Sequence, residues 1–478
     1  MYAKFGLFIG GGWRAEGSDG VIDVEDPATG KVIGSVPSAG AGDTEEAIAR
    51  ASAALKVWRT TPGWTRADAL HVIADRMIAR ADEAARIITL ETGKPIAQSR
   101  REWALSIDQF RWYAEEARRI YGRIVESRAP GGRIEVAHEP VGVVAAFTAW
   151  NFPAVLVARK VAPALAAGCS VIVRPSSETP GSAMIIVDCV REAGLPEGVV
   201  SLVAGSVSAT YEPLVASPVV RKITLTGSTS VGQRMIRDSA ATVKRVSMEL
   251  GGNAPLIVFD DADFDKLLDS VVPTKYANAG QVCVSPDRFY VHESLYDRFA
   301  DEFSRRASAL KLGHGLDETS QMGPIINLRR LEAIEGVVAD AQRRGARLLA
   351  GGKRPQDSSG GYFFEPTVLK DVPDDALALA EENFGPIAAL TPFSRVDEVY
   401  ERANASEFGL AAYVFTQSPT RAREAVASIE SGMVGVNSFA LAAAEAPFGG
   451  VKLSGMGREG GSEGIHDFLN IKLAQVAF

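Results

Sequence analysis

Two kinds of hydrophobic spacing alternate along this chain and predict a mixed α/β fold. Between residues 43 and 121, apolar side chains such as Ala47, Ala51 and Leu55 recur every three or four positions, which is typical of amphipathic helices. From Pro140 onward, short apolar runs alternate with helical segments, which favours parallel strands covered by helices on both faces. The predicted strands are 141–148, 171–173, 199–203, 222–226, 245–249, 255–259 and 288–291.

The early helices have their own start and stop signals. Asp43 is a residue type that caps a helix, while Gly93 and Pro95 are residue types that end one. Glycine, aspartate and β-branched residues at short spacing precede Asp43, which predicts small strands and turns. The predicted helical segments are 43–58, 67–91 and 99–121.

The alternation of strands and helices starts afresh after Gly251 and Gly252, which predicts two α/β units in this chain of 478 residues. Two strand-like segments lie outside both units and would form an edge hairpin or a surface between subunits. The predicted division is 1–122 with 140–250 for the first unit, 251–446 for the second, and 123–139 with 463–478 for the outlying strands.

Composition and charge exclude several classes of function. Hydrophobic residues make up 46% of the chain and charged residues 23%, which is typical of a globular protein. The net charge of -8, with no run of five lysines or arginines, argues against a nucleic-acid partner, which requires concentrated positive charge. Three cysteines are too few for a disulfide framework, and no signal peptide is recognisable, so we expect a cytoplasmic protein.

One uncharged stretch, residues 141–158, is long enough to raise the question of a membrane span. Its centre contains Asn151 and Pro153, where a lipid environment tolerates polar groups least. We interpret the stretch as a buried strand, a turn and the start of a helix, and we expect no membrane partner.

Two turns of small residues follow predicted strands and could bind a nucleotide. In 222–232, glycines occupy the first and third positions of a dinucleotide fingerprint and Thr229 the second. Free N–H groups at the start of the following helix would favour a pyrophosphate, although a plain strand-to-helix turn fits equally well. Residues 174–177, after the strand 171–173, could hold an adenosine ribose or form an ordinary surface turn.

Three residues have side chains that could take part in catalysis and lie at positions where active sites often form. Cys283 lies in a glycine-containing turn, and such a thiol can be either a buried small hydrophobe or a nucleophile. Glu249 and Asn151 each end a predicted strand, at the edge where the sites of α/β sheets collect. A thiol, a carboxylate and an amide are the groups needed to attack a carbonyl, hydrolyse a thioester and stabilise an oxyanion, although each alone could be a capping or turn residue.

An ordered set of short motifs runs along nearly the whole chain. These motifs are Thr148-Ala-Trp-Asn-Phe-Pro153, Thr226-Gly-Ser228, Met248-Glu-Leu-Gly-Gly252, Gly280-Gln-Val-Cys283, Glu382-Asn-Phe-Gly-Pro386 and Pro447-Phe-Gly-Gly450. On this set the chain resembles the NAD(P)-dependent aldehyde dehydrogenases, and among them it is most similar to the succinate-semialdehyde dehydrogenases. The resemblance implies an α/β fold with a Rossmann-like nucleotide-binding domain, an α/β catalytic domain and a small β oligomerisation element.

The resemblance also implies a reaction in two stages. Cys283, as a thiolate, would attack the aldehyde carbon, and the Asn151 amide with the Cys283 backbone N–H would receive the oxyanion. Hydride would pass to NAD(P)⁺, and Glu249 would activate the water that hydrolyses the remaining thioester to the carboxylic acid. Lys160 and Glu459 match positions that assist proton transfer, or else form a peripheral ion pair. No metal site is predicted.

The same resemblance implies a cofactor, NADP or NAD, and its contacts. At the adenosine end, Arg174 replaces the usual lysine, and Ser177 replaces a glutamate that holds the ribose hydroxyls in many NAD-preferring members. A serine beside an arginine would accept a 2′-phosphate that a carboxylate would repel, so we expect a slight preference for NADP. The implied cofactor-binding residues are Thr148, Trp150, Arg174, Ser177, Gly227, Ser228, Glu382 and Phe384.

For the substrate, Arg159 falls where succinate-semialdehyde dehydrogenases hold the distal carboxylate. This favours an ω-semialdehyde carboxylate, such as succinate semialdehyde or a longer or aromatic analogue. The second arginine of that pattern is Ala277 here, alanines occupy much of 441–445 where a small polar residue is expected, and Arg159 could instead form an ion pair on a helix surface. The implied substrate residues are Arg159, Phe152, Phe448 and Ser285, with the two phenylalanines lining an apolar tunnel.

Other functions stay open at this point. A general medium-chain or aromatic aldehyde dehydrogenase would need no carboxylate contact. A coenzyme A-acylating relative would generally lack Glu249, and a non-enzymatic binding protein should have lost part of the chemical set. The outlying strands would present unpaired edges in a monomer, so we expect a homodimer or homotetramer that binds a small aldehyde.

Overall fold

The computed structural model describes residues 2–356 and 360–477, so three predicted ranges reach slightly beyond the described residues, at Met1, at 357–359 and at Phe478. The strands are β1 (Leu7–Ile9), β2 (Gly12–Arg14), β3 (Val21–Asp26), β4 (Lys31–Pro37), β5 (Arg123–Glu126), β6 (Gly132–Pro140), β7 (Val143–Phe147), β8 (Ser170–Arg174), β9 (Val200–Leu202), β10 (Val220–Thr226), β11 (Arg245–Glu249), β12 (Ala254–Val258), β13 (Pro286–His292), β14 (Arg347–Ala350), β15 (Thr367–Lys370), β16 (Ile387–Phe393), β17 (Phe408–Gly409), β18 (Ala411–Phe415), β19 (Met433–Val436), β20 (Val451–Lys452), β21 (Gly455–Met456) and β22 (Leu469–Ala477).

The α-helices are α1 (Ala41–Trp58), α2 (Gly63–Ala79), α3 (Ala81–Thr92), α4 (Ile96–Ala117), α5 (Pro153–Ala167), α6 (Gly181–Glu192), α7 (Glu212–Ala216), α8 (Thr229–Ser239), α9 (Phe264–Lys275), α10 (Glu293–Ser308), α11 (Leu328–Arg343), α12 (Leu377–Ala380), α13 (Val396–Asn404), α14 (Pro419–Ser428) and α15 (Glu463–His466). They alternate with the strands as the sequence predicts, and helices cover the two large sheets.

An eight-stranded sheet carries the first half of the chain. Its order is β2-β1-β9-β8-β7-β10-β11-β21, and the strands from β9 to β11 run parallel. Val144 and Ala146 of β7 pack into one hydrophobic core, while Val143 and Ala145 pack into another on the opposite face. Because both faces are covered by helices, the strand sequence is continuously apolar.

The uncharged stretch 141–158 is a buried strand followed by a turn and a helix, as predicted. β7 ends at Phe147, and α5 begins with Pro153, which suits the first helical position because it has no N–H to satisfy. Every residue of α5 is buried. In the part of the chain that the structure describes, no helix combines the length and apolar character needed to cross a bilayer.

A seven-stranded sheet carries the second half of the chain. Its order is β14-β15-β16-β13-β12-β18-β19, and all strands except β14 run parallel to their neighbours. After this sheet the chain returns to the first one, where β21 pairs with β11 through Glu249 and Gly455. Gly455 has φ 128°, and a β-carbon there would overlap the Met248 carbonyl, so the return of the chain requires glycine.

A separate three-stranded sheet has the order β22-β6-β5 and contains both predicted outlying segments. β5 and β6 form a hairpin, and β22 pairs with β6 along its whole length. The large apolar side chains of Ile124, Ile471 and Leu473 on this sheet are 71%, 73% and 64% exposed. Such a surface is typical of an interface with another protein.

Some predicted boundaries are wrong in detail. Asp43 does not cap α1 from the N-cap position but from within its first turn, where its carboxylate accepts the Gly40 N–H at 2.9 Å. The predicted helix over 67–91 is two helices that meet at Arg80. Gly93 ends α3 with a left-handed φ, whereas Pro95 is the N-cap of α4 and therefore starts a helix.

Candidate active site

The candidate site lies where the order of the first sheet reverses. The chain reaches β8 and β9 on one side of β7, and β10 and β11 on the other, so a crevice opens at the carboxyl ends of β7 and β10. Asn151 follows β7, and Gly227 follows β10. The second sheet contributes from the amino ends of its strands, because Cys283 precedes β13 and Glu382 precedes β16.

The turn that carries Cys283 has an unusual backbone. Asn278 and Ala279 have left-handed φ values of 47° and 54°, a conformation that collects at functional sites when surrounding contacts enforce it. Gln281 is one such contact, because its side chain donates to the Asn278 carbonyl and accepts the Ile326 N–H, both at 2.9 Å. The thiol of Cys283 is half-buried at the border of the second core.

Asn151 is buried and is oriented by the turn that carries Cys283. Its side-chain nitrogen donates to the Gln281 carbonyl at 3.1 Å, two residues before Cys283. Among the described residues its side-chain oxygen has no hydrogen-bond partner. The side-chain nitrogen carries two N–H groups and donates one of them to Gln281, so the second could donate to an oxyanion formed at Cys283.

Glu249 ends β11 and is also buried, and one of its carboxylate oxygens has no hydrogen-bond partner within residues 2–356 and 360–477. Next to it lies an ion pair between Lys160 and Glu459. Lys160 is completely buried and also donates to the Thr226 hydroxyl at 2.6 Å. The pair is therefore internal, and its interpretation as a peripheral ion pair is wrong.

Electrostatic effects link the thiol and the carboxylates. The pKa of Cys283 is raised to about 12, first by burial and then by Glu249 and Glu382, while Arg159 lowers it. The pKa of Glu249 is raised as well, by burial and by the neighbouring Glu459. Two anions in such surroundings repel each other, so the ionisations of Cys283 and Glu249 oppose one another. Positive charge brought into the crevice would favour the thiolate.

Polar groups along the crevice fit a pyrophosphate. The Thr148 hydroxyl is buried, and no described residue bonds to it. Helix α8 starts after Gly227, and no side chain of the described residues caps it at Ser228, so its first N–H groups point outward. Such a helix start favours an anion. The half-buried Trp150 lies on the turn after β7.

A half-buried carboxylate and an aromatic ring lie on the second-sheet side. Glu382 accepts the Gly252 N–H at 2.9 Å, and burial raises its pKa to about 7. Phe384 has φ 41°, a strained value for a bulky side chain. Its ring is 5.3 Å from that of Trp150 and nearly perpendicular to it. The two sheets therefore meet across the predicted position of the nicotinamide riboside.

The predicted adenosine end is more open. The Arg174 guanidinium donates to the carbonyls of Pro175 at 3.2 Å and Gly205 at 3.0 Å, and Ser177 is half-buried on the following turn. Sequence reasoning missed Glu178, whose carboxylate accepts the Ser176 hydroxyl and lies near Arg174. The Glu178 carboxylate therefore places a negative charge next to Ser177, where none was expected from the sequence.

On the substrate side, Arg159 is only 5% exposed. Its guanidinium lies 4.1 Å from the ring centroid of Phe448, and its Nε has no hydrogen-bond partner among the described residues. The alternative of an ion pair on a helix surface is therefore wrong. The half-buried ring of Phe152 has the Lys94 ammonium 4.0 Å from its centroid.

Ser285 is attached to a buried ion pair that sequence reasoning missed. Its hydroxyl accepts from Lys275 at 3.2 Å, and Lys275 also pairs with Asp287 at 2.5 Å. The other oxygen of Asp287 accepts the Asn383 N–H at 3.2 Å, which connects the segment after Cys283 to the loop containing Glu382. The sequence signal for this ion pair was Asp287, a charged residue directly before the predicted apolar strand 288–291.

Two further supports were also missed. Arg330 donates to the carbonyls of Asn383 and Phe384, the latter at 3.3 Å, and so holds the strained loop. Tyr413 donates to the Val284 carbonyl at 2.7 Å, directly after the thiol. Arg330 follows the pattern of an ordinary amphipathic helix, so the sequence contains no signal for its role.

Comparison with known proteins decides the family. A model of the aldehyde dehydrogenase family matches residues 13–474. The chain belongs to the aldehyde dehydrogenase family.

Three relatives illustrate this similarity. A glutarate-semialdehyde dehydrogenase of Pseudomonas aeruginosa is 43% identical over 97% of this chain and 96% of its own length. An NADP(+) succinate-semialdehyde dehydrogenase of Escherichia coli is 43% identical with the same coverage of both chains. The crystal structure of a succinate-semialdehyde dehydrogenase from Burkholderia pseudomallei is 45% identical, covers 99% of this chain and 98% of its own, and has a TM-score of 0.97.

Membership in the aldehyde dehydrogenase family confirms the predicted resemblance, fold class and enzyme class. The protein is an NAD(P)-dependent oxidoreductase that converts an aldehyde to the carboxylic acid, and its cofactor is NADP or NAD. The non-enzymatic alternative is therefore wrong. The unpartnered Thr148 hydroxyl and the open start of α8 suit that cofactor, which supplies the hydride acceptor when it is bound.

Proposed function

We propose that this aldehyde dehydrogenase oxidises an ω-semialdehyde carboxylate of the succinate or glutarate semialdehyde class, or a longer or aromatic analogue. The observation that carries this proposal is Arg159, a buried guanidinium that forms no salt bridge within the described residues, although it is close enough to Glu249 to lower the pKa of that carboxyl. A buried charge is costly until it is paired, and a substrate carboxylate would supply the missing anion. The names of the two semialdehyde dehydrogenase relatives support the same class.

In the first stage, we assign Cys283 as the nucleophile and Asn151 as the oxyanion donor. The raised pKa keeps the Cys283 thiol protonated, so its proton must pass to solvent water before the thiolate can attack, and the positive charge of the oxidised cofactor would assist that loss. As the thiolate bonds to the aldehyde carbon, the free Asn151 N–H donates to the oxygen that becomes negative.

In the second stage, Glu249 takes a proton from the water that attacks the thioester. Its raised pKa suits a general base that works near neutral pH, and its unpartnered oxygen is available to a water molecule. The buried pair of Lys160 and Glu459 lies next to it and would pass the proton onward.

The test compares succinate semialdehyde, a longer ω-oxo acid and an uncharged aromatic aldehyde, each with both cofactors. We expect Arg159→Met, which keeps the aliphatic stem on Phe448, to lower kcat/KM for the two acids about 10- to 100-fold, the range for losing a charged hydrogen bond. The neutral aldehyde should change little. The matched control is Arg66→Met. Arg66 is another buried arginine, and it donates to the Ala166 carbonyl of α5, the helix that contains Arg159. Equal losses for acids and neutral aldehyde would contradict the carboxylate contact.

A second candidate is a medium-chain or aromatic aldehyde dehydrogenase. The ring of Phe448, the ring of Phe152 and the alanines of 441–445 favour an apolar substrate body. Preference for the neutral aldehyde in the same assay would support this candidate. A dependence of product formation on added coenzyme A would instead indicate the acylating reaction, which the buried Glu249 disfavours.

We infer only a slight preference for NADP. Arg174 and Ser177 favour a 2′-phosphate, whereas Glu178 opposes it. The ratio of kcat/KM for the two cofactors measures the balance, and Glu178→Gln should shift it toward NADP.

We also propose the domain division, the assembly and the location predicted from the sequence. The two large sheets support separate nucleotide-binding and catalytic domains, although β21 adds the segment after residue 446 to the first sheet. The exposed apolar residues of the third sheet support a homodimer or homotetramer, which light scattering of the wild type and of Ile471→Lys would test. Three unpaired cysteines agree with the cytoplasm.

A further inference from the structure

A fully buried ion pair lies under the turn that follows β7. Lys94 is in the connection between α3 and α4, and Glu102 is in α4. The ammonium and carboxylate are 2.6 Å apart, and neither side chain has any exposed surface. Burying two charges is expensive unless their geometry and remaining hydrogen bonds are excellent, so such a pair calls for a structural or functional reason.

Both members of the pair bind the chain around Asn151. The Lys94 ammonium donates to the Asn151 carbonyl at 2.6 Å and lies 4.0 Å from the centroid of the Phe152 ring. The second Glu102 oxygen accepts the Ala154 N–H at 2.8 Å, at the start of α5. One ion pair from the helical layer therefore fixes the chain from residue 151 to residue 154.

We propose that Lys94 and Glu102 are positioning residues that hold the Asn151 amide where it can donate to the oxyanion. The inference rests on the proposed oxyanion role of Asn151. The Asn151 carbonyl accepts from the Lys94 ammonium at 2.6 Å and from the Asn278 amide at 3.0 Å, and Lys94 is the charged and shorter of the two donors. These contacts restrain rotation of the Asn151 peptide, so the side chain keeps one N–H on Gln281 and leaves the other for the oxyanion. A misplacement of about 1 Å in an active site can cost about 100-fold in rate.

A double-mutant cycle tests the proposal, with formation of reduced cofactor in the first turnover as the readout. Lys94→Met should slow this step about 10- to 100-fold while cofactor affinity is unchanged. Asn151→Ala alone should slow it about 100- to 1000-fold. In the Asn151→Ala background, Lys94→Met should add less than about a twofold loss, because there is no amide left to position.

Lys222→Met is the matched control. Lys222 is another fully buried lysine, contacts the Ser247 hydroxyl and lies 4.9 Å from the centroid of a phenylalanine ring, but it does not contact Asn151. Lys222→Met should change the first-turnover rate by the same factor in the wild type and in the Asn151→Ala background. If Lys94→Met acted only through a general loss of packing, it would also slow the first turnover by the same factor with and without the Asn151 amide. This result would overturn the positioning role of Lys94 but not the oxyanion role of Asn151. No loss for Asn151→Ala would overturn both the inference and the proposed oxyanion role.

The double variant Lys94→Met with Glu102→Gln guards against a folding failure. It leaves no unpaired buried charge, and the amide oxygen that Glu102→Gln introduces can still accept the Ala154 N–H. We expect the melting temperature to recover towards that of the wild type while the slow first turnover persists, since the charged Lys94 donor to the Asn151 carbonyl is still missing and only the Asn278 amide, at 3.0 Å, remains. Recovery of the rate together with stability would contradict positioning by Lys94.

Discussion

The two sheet edges that meet at the active site are built in different ways. On the first sheet, Glu249 is the last residue of β11, and Asn151 lies on the turn after β7. Both strands are in regular parallel register, with Leu225 opposite Phe147 and Met248. On the second sheet, Cys283 and Phe384 stand on turns before strands, close to or at residues with left-handed φ. Regular strand hydrogen bonding therefore places Glu249 on the first edge, while Asn151 is held on its turn by side-chain contacts. On the second edge, distant side chains enforce strained turns.

This difference corresponds to a division of chemistry. In the proposed mechanism, the first edge supplies the amide and the carboxylate, which would act on developing charge and on water. The second edge would supply the atom that bonds to the substrate and the contacts to the nicotinamide riboside. Strained turns can aim a side chain at a point that no regular strand reaches, but they need supports such as Gln281 and Arg330.

Removing the reacting atom from the second edge should have the largest effect. Cys283→Ala should lower kcat about 10⁵-fold or more, since nothing else in the site can form the covalent adduct. Cofactor binding, followed by fluorescence, should be retained and serves as the control. Turnover near the wild-type rate would show that the thiol is not the nucleophile.

Removing the base from the first edge should separate the two stages. Glu249→Gln should lower steady-state turnover about 10²- to 10⁴-fold, because water is no longer activated, while the first hydride transfer remains. Rapid mixing should then show one burst of reduced cofactor per active site, and mass spectrometry should detect the acyl-enzyme. If the burst is lost along with turnover, Glu249 acts in the first stage as well.

Relaxing the strained loop of the second edge should have a moderate effect. Arg330→Met removes the donors to two loop carbonyls, so we expect cofactor affinity to fall about tenfold. Arg343→Met, on the exposed part of the same helix, should leave affinity unchanged. Equal affinities for the two variants would mean that Phe384 does not need this support.

The smallest effect is a shift in the pH dependence of thiol alkylation. Glu249 raises the Cys283 pKa and Arg159 lowers it, so Glu249→Gln should move the alkylation profile to lower pH, and Arg159→Met should move it to higher pH. The rate of iodoacetamide modification of the enzyme without cofactor measures both shifts. Profiles that coincide with the wild type would show that the two edges are not electrostatically linked.

Prediction from the sequence is most successful on the first edge. The predicted strand 245–249 has its observed bounds, because Val246 and Met248 alternate with polar residues and the double glycine at 251–252 marks the turn that follows. The sequence predicts a single helix over 67–91 because nothing in the hydrophobic pattern marks the break at Arg80. The predicted cap position of Asp43 is wrong because the same carboxylate can serve from within the first turn.

The sequence by itself determined the alternation of strands and helices, the family and the residues that could react, because these depend on local periodicity and on motifs of adjacent residues. Only the tertiary structure decided that Arg159 is buried against Phe448, that Glu178 lies beside Arg174, and that Lys94 holds Asn151. These contacts join residues from separate elements, some of them far apart in the chain. Their geometry follows from how helices and sheets pack, which no local pattern encodes.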